Sequence, residues 1–126
     1  MRLKHFNLPF AAQLFKALSD EARVRILLLL QEKRDLSISD LELILDFTQT
    51  KTSRHITYLK HAGILTSRKA DQYVLYYIKE EVEIFVRQML EYVQRDTRLQ
   101  KDLEVHDILA SNRELAKNKV SIRWQP

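Results

Sequence analysis

The sequence predicts a mainly α-helical domain carrying one small two-stranded β-hairpin, on three observations. Glycine occurs once and proline twice in 126 residues, too little backbone punctuation for a sandwich of many hairpins. Apolar residues recur at helical spacing along most of the chain. One stretch, Tyr73-Val74-Leu75-Tyr76-Tyr77-Ile78, is β-branched and aromatic instead and follows a second short run across a polar turn. With 45% hydrophobic and 30% charged residues, the chain suits a single modest core and excludes wholesale disorder.

Pro9 fits the first position of a helix in which Phe10, Leu14 and Leu18 share a face, with Ala11 and Phe15 beside them. Ser19 or Asp20 caps a second helix, and Ala22, Ile26, Leu27, Leu29 and Leu30 give it the broad apolar face of a central core helix. Lys33-Arg34-Asp35 reads as a solvated break. Ser39 followed by Glu42 matches a capping box for a short third helix, with Leu41, Ile44 and Leu45 on one face. Thr48-Gln49-Thr50 supply the turn and cap of a fourth. There Thr52, Ile56 and Leu59 face inward, while Gln49, Lys51, Ser53, Arg54 and Thr57 point elsewhere.

Gly63, the only glycine, stands where the fourth helix must stop in a left-handed conformation. Ile64 to Lys69, a turn at Ala70-Asp71-Gln72, and Tyr73 to Ile78 make the hairpin, and Asp71 tolerates the left-handed region at its tip. From Glu80 a further helix carries the stripe Val82, Phe85, Val86, Met89, Leu90 and Val93. After a polar patch, Leu99 and Leu103 lie one turn apart. Ser111 with Glu114 would cap another turn or two over Asn112 to Asn118, and Val120 to Pro126 reads as a tail. The expected division is a main domain over 1–104 and a C-terminal helical extension and tail over 105–126.

Three helices, a fourth after a tight turn, then a hairpin and a last helix make the winged helix-turn-helix order, in which the helix after the turn can enter a major groove. Its exposed residues here suit that task. Gln49 and Arg54 can make bidentate contacts to base edges, and Thr50, Ser53 and Thr57 offer hydroxyls to bases or phosphates beside Lys51. Arg68 and Lys69, with Gln72 at the turn, occupy the wing. The charge follows the same block: residues 49–79 hold Lys51, Arg54, Lys60, Arg68, Lys69 and Lys79 against Asp71 alone, a net +5, whereas 1–48 are neutral and 80–108 carry −4. A basic block on a fold that presents it to a phosphate backbone points to double-stranded DNA.

These residues give the chain a resemblance to the ArsR/SmtB transcriptional repressors. It is carried by Leu14-Phe15-Lys16-Ala17-Leu18-Ser19-Asp20 with Arg23-Val24-Arg25-Ile26-Leu27, by Ser53-Arg54-His55-Ile56 with Leu59 and Ala62-Gly63-Ile64-Leu65, and by Val74-Leu75-Tyr76-Tyr77. The resemblance implies that the helix bearing Ser53 and Arg54 reads DNA. It also implies that the first helix and the one after the wing form a homodimer, through Phe10, Leu14, Val82, Phe85, Val86, Met89, Leu90 and Val93. A sequence-specific regulator is expected, a repressor on an inverted-repeat operator.

The same resemblance supplies two metal motifs for comparison. Where a Cys-x-Cys would open the third helix, this chain has Asp35-Leu36-Ser37-Ile38-Ser39-Asp40-Leu41, and it contains no cysteine at all. Hydroxyls are poor ligands for soft ions, which argues against arsenic, cadmium or lead sensing there. No histidine lies between Glu80 and Leu103, where the second motif would fall. Asp102 and His106 read as a surface ion pair, and His55 and His61 as DNA-facing, capping or partly buried side chains. No metal or cofactor is therefore expected. The inducer stays open among pH, a small organic ligand, a partner protein, a non-thiolate metal site or no effector.

A winged helix can instead serve protein–protein contact. That use favours exposed apolar residues on the fourth helix, where this chain offers Gln49, Lys51, Ser53 and Arg54. No nucleophile–base pairing, glycine-rich phosphate loop or carboxylate pair suggests an enzyme. With no signal-peptide pattern and no aliphatic run longer than Ile26 to Leu30, a cytoplasmic location is expected and a membrane partner is not.

Overall fold

The computed structural model describes residues 6–120; His5 and the tail beyond Val120 lie outside the described residues. The order is α1 (Leu8–Ala17), α2 (Glu21–Lys33), α3 (Ile38–Leu45), α4 (Gln49–His61), β1 (Leu65–Ala70), β2 (Tyr73–Ile78), α5 (Glu80–Leu90), α6 (Thr97–Ser111) and a closing 3-10 turn, Ala116–Lys119. This is the winged helix-turn-helix order.

Local chemistry explains where the helices begin. Asn7 Oδ1 accepts the Phe10 N–H at 3.0 Å ahead of α1. Asp20 accepts the N–H groups of Ala22 and Arg23 at 2.8 and 3.2 Å ahead of α2. Each satisfies donors that a helix N-terminus leaves without intrahelical partners. All five residues from Ile26 to Leu30 are buried. Such a run has no polar face because α4, α5, α6 and β2 pack around α2.

The hairpin pairs antiparallel from Leu65 with Ile78 to Ala70 with Tyr73. Asp71 at its turn has φ 56°, as its short polar side chain permits. Leu65, Tyr76 and Ile78 pack toward the main core. Leu36, just before α3, exchanges both backbone hydrogen bonds with Tyr76, at 3.1 and 2.8 Å. The segment read as a solvated break is not solvated at its end: Asp35 is buried, and Leu36 directly after it forms a one-residue third strand.

Four expectations change. The capping box of α3 is formed by Ser37 and Asp40, not by Ser39 and Glu42: Ser37 Oγ accepts the Asp40 N–H at 3.0 Å and Asp40 accepts the Ser37 N–H at 3.1 Å. The bridge at Leu36 holds the chain extended to that point, so the helix starts at the first available cap. The stripe from Val82 leaves the helix at Leu90, and Val93 sits in the turn that follows. Leu99 and Leu103 belong to a helix running to Ser111, which crosses the boundary drawn at 104/105. Ser111 is its last residue, not the cap of another helix, and the chain closes instead with the 3-10 turn from Ala116. Among the described residues no helix is long and apolar enough to cross a membrane.

Candidate nucleic-acid interface

A three-residue turn, Asp46-Phe47-Thr48, joins α3 to α4. Asp46 takes a left-handed conformation at φ 57°. Thr48 caps α4, its Oγ1 accepting the Lys51 N–H at 3.1 Å, while the Thr52 hydroxyl donates back to the Thr48 carbonyl at 2.8 Å. Thr52, His55, Ile56 and Leu59 are buried and fix the inner face of α4. The opposite face is then dictated by helical geometry. Gln49, Thr50, Ser53, Arg54 and Thr57 line one shallow open concavity, at positions i, i+1, i+4, i+5 and i+8. No acidic residue occurs from Phe47 to Ala70, so this face carries donors and positive charge without a competing carboxylate.

Lys51 stands apart from that face. Its ammonium lies 4.1 Å from the centre of the Phe47 ring, and the Arg25 guanidinium approaches the same ring at 5.2 Å. Phe47 thus pins two cations beside the turn. Phe47 as a cation platform was not anticipated, and an aromatic residue inside a tight turn flanked by a later lysine was the available signal.

On the wing, Lys69 and Gln72 are exposed. Arg68 is half-buried and turned along the sheet, 5.3 Å from the Tyr77 ring and donating to Tyr77 Oη at 3.2 Å. The wing therefore offers Lys69 and Gln72 outward at its tip and holds Arg68 against its own surface.

His55 lies on the inner side of α4. Burial, reinforced by Arg23, Arg54 and Lys51 and opposed by Asp20, holds its pKa below the ordinary value near 6.5. Buried on that side, His55 is not part of the exposed α4 face. Asp102 and His106 are not a surface pair either. Asp102 is buried and takes a bidentate grip from Arg25, Nε and Nη2 each at 2.9 Å. His106 is buried beside Asp107, its Nδ1 3.0 Å from the carboxylate. Among the described residues, no three histidine, aspartate or glutamate side chains gather as a metal site would require. Ser37 and Ser39, at the thiol positions of the metal motif, bond to each other at 2.9 Å.

The expected interface residues divide into two groups. Leu14, Val82, Val86 and Leu90 are covered within the chain. Phe10, Phe85 and Met89 are only half-buried, and Val93 is exposed. Phe15 on α1, which is 58% exposed, has its ring 5.8 Å from that of Phe85.

Comparison with known proteins fits this geometry. The model of the family described as "Bacterial regulatory protein, arsR family" matches residues 20–67, from the cap of α2 into β1. The arsenical resistance operon repressor of Escherichia coli is 38% identical over 86 residues, covering 68% of this chain and 72% of that protein. The chain belongs to the ArsR family of bacterial regulatory proteins, which are winged-helix transcriptional regulators. Two further relatives widen the picture. The arsenic resistance regulator ArsR1 of Pseudomonas putida is 39% identical over 63% of this chain and 62% of its own length. The transcriptional activator HlyU of Vibrio cholerae is 32% identical over 71% of this chain and 79% of its own. The solved structure of HlyU from Vibrio cholerae superposes with a TM-score of 0.62 at 28% identity, over 69% of this chain and 95% of that one. A homodimeric winged helix-turn-helix DNA-binding domain from Mycobacterium bovis shares the fold, with a TM-score of 0.63 at 22% identity, over 75% of this chain and 87% of that one.

Proposed function

We propose that this ArsR-family chain is a cytoplasmic homodimeric repressor that reads an inverted-repeat operator with α4. The observation that carries this reading is the α4 face itself, where Gln49, Thr50, Ser53, Arg54 and Thr57 converge with no carboxylate among them. Arg54 and Gln49 read base edges, and the hydroxyls of Thr50, Ser53 and Thr57 serve bases or phosphates. Lys51 beside the turn, with Lys69 and Gln72 on the wing, follows the backbone on either side. Arg68 supports the wing through Tyr77 and adds charge near its tip. The function is binding, not catalysis. Arsenic and cadmium, which appear in relatives' names, do not carry over, since a chain without cysteine has no thiolate to offer a soft ion.

The test is duplex affinity for promoter-region DNA across a salt series. Affinity should fall steeply with salt, as counterion release requires. Arg54→Ala should cost about 1–3 kcal/mol, roughly 5- to 150-fold, and relax sequence preference. Salt-independent binding, or full affinity in Arg54→Ala, would reject the reading.

A further inference from the structure

The chain after α6 folds back onto the domain. It reverses at Arg113, where φ is 57°. Leu115 is then fully buried, and the 3-10 turn packs against both α3 and β2. Asp40 is the anchor. Its carboxylate, in a residue only 1% exposed, accepts the Ser37 N–H within the α3 cap and also the N–H groups of Ala116 and Lys117. One buried carboxylate thus takes three main-chain donors, two of them from the far end of the chain, which is how a buried charge is made tolerable. Lys117 adds a second tie, its Nζ donating to the Lys33 carbonyl at 3.0 Å. That carbonyl ends α2, where a cation also complements the helix dipole. On the hairpin, Ala70 and Leu75 lie outside the main core yet are 2% and 1% exposed. Their strand-alternating positions put them on the face turned away from Leu65, Tyr76 and Ile78.

The two elements that must meet one duplex are therefore joined by a third. α3 sets the angle of α4 through a three-residue turn, and β2 carries the wing. The Leu36–Tyr76 bridge links the entry of α3 to β2 on one side, and the 3-10 turn links the same two elements again. We propose that residues 112–120 are a strap that fixes the wing relative to α3 and α4, with Asp40 and Lys117 as positioning residues for DNA binding. This rests on the DNA-binding reading above.

Two substitutions in the full chain test it. Ala116→Pro deletes one N–H that Asp40 accepts. The extended backbone of Leu115, at ψ 145°, suits a following proline. Lys117→Met removes the ammonium, leaves the backbone unchanged and reports alone if the proline variant does not fold. Both should keep their helical circular dichroism and oligomeric state. Duplex affinity should drop about tenfold, and the salt slope should become shallower by about one as a wing cation loses its phosphate. Amide exchange in β2 should quicken in parallel. Wild-type affinity and slope in a variant that merely melts earlier would reduce the strap to a stabilising contact and overturn the proposal. Absence of salt-dependent binding in the wild type would overturn the DNA-binding reading and the strap's role together.

Discussion

Gly63 has φ +83°, and a Cβ placed there would meet Phe10 Cε1 at 3.1 Å. Both facts oppose a side chain: the left-handed backbone costs an L-residue about 1–2 kcal/mol, and the phenyl ring would have to yield as well. Gly63→Ala should therefore lower the unfolding free energy by that amount or more, read as a lower urea midpoint at an unchanged m-value, because the surface exposed on unfolding is the same. An unchanged midpoint would mean that the ring moves freely and the turn relaxes. Titration gives a second prediction at this scale. Burial pulls the pKa of His55 and of His106 below the ordinary value near 6.5, with Arg23, Arg54 and Lys51 assisting around His55 and Lys117 and Lys33 around His106. Asp20 opposes the shift at His55 and Asp107 at His106. The unfolded chain then binds protons that the folded chain refuses, so stability is full above about pH 6.5 and declines as pH falls toward the folded values. Asp35 works the other way. Its desolvated carboxyl has a raised pKa, so its protonation on acidification relieves a penalty. Melting temperatures of the wild type and of a His55→Gln, His106→Gln double variant between pH 7.5 and 5 separate the two effects. The difference between the curves should narrow as pH falls, and parallel curves would exclude the histidines as the cause.

Among the elements, α3 shows how two sequence-compatible starts are resolved by packing. Ser37 with Asp40 and Ser39 with Glu42 both have capping-box spacing, and only the bridge from Leu36 to Tyr76, forty residues ahead, selects the first. Ser37→Ala should then cost about 1 kcal/mol, while Ser39→Ala, on an exposed residue, should stay within about 0.5 kcal/mol. Equal losses in urea melts would show that the cap is shared. The same contrast explains what was legible in the chain. The core stripe of α2, the inner face of α4 and the stop at Gly63 depend on periodicity and local backbone demands, which are written in adjacent residues. The reading face of α4 follows from the same periodicity. α6 was largely hidden because its buried positions include polar Asp102 and His106, and the partner of Asp102 is Arg25 on α2. The pinning of Lys51 on Phe47 and of Arg68 on Tyr77 depends on rotamers and strand register, which composition does not encode.

At the scale of the whole molecule, the positive block of α4 and the wing, net +5 over residues 49–79, is followed by α5 and α6 at −4 over 80–108. Such a gradient orients the domain toward DNA and keeps the acidic helices away from phosphate. A two-fold dimer needs an apolar surface that one chain leaves uncovered. Half of the expected α5 stripe does not qualify, because Val82, Val86 and Leu90 already fill the chain's own core. The uncovered set is the aromatic cluster of α1 and α5, where Phe6 packs edge-on against Phe10 at 5.2 Å and Phe85 lies 6.3 Å from Phe6 and 5.8 Å from Phe15. Leu8, 82% exposed, flanks it on α1. For the proposed homodimer this surface is the candidate seat, since it spans both helices. Sedimentation of three variants decides the matter. Phe15→Asp and Phe85→Asp should give folded monomers that retain wild-type helical content but bind an inverted repeat no better than a single half-site. Val86→Asp should fail to fold, because it buries a charge with no partner. Dimers persisting in both phenylalanine variants would place the two-fold axis elsewhere. Tyr92 and Val93, exposed in the turn after α5, offer the next apolar surface to probe in the same way.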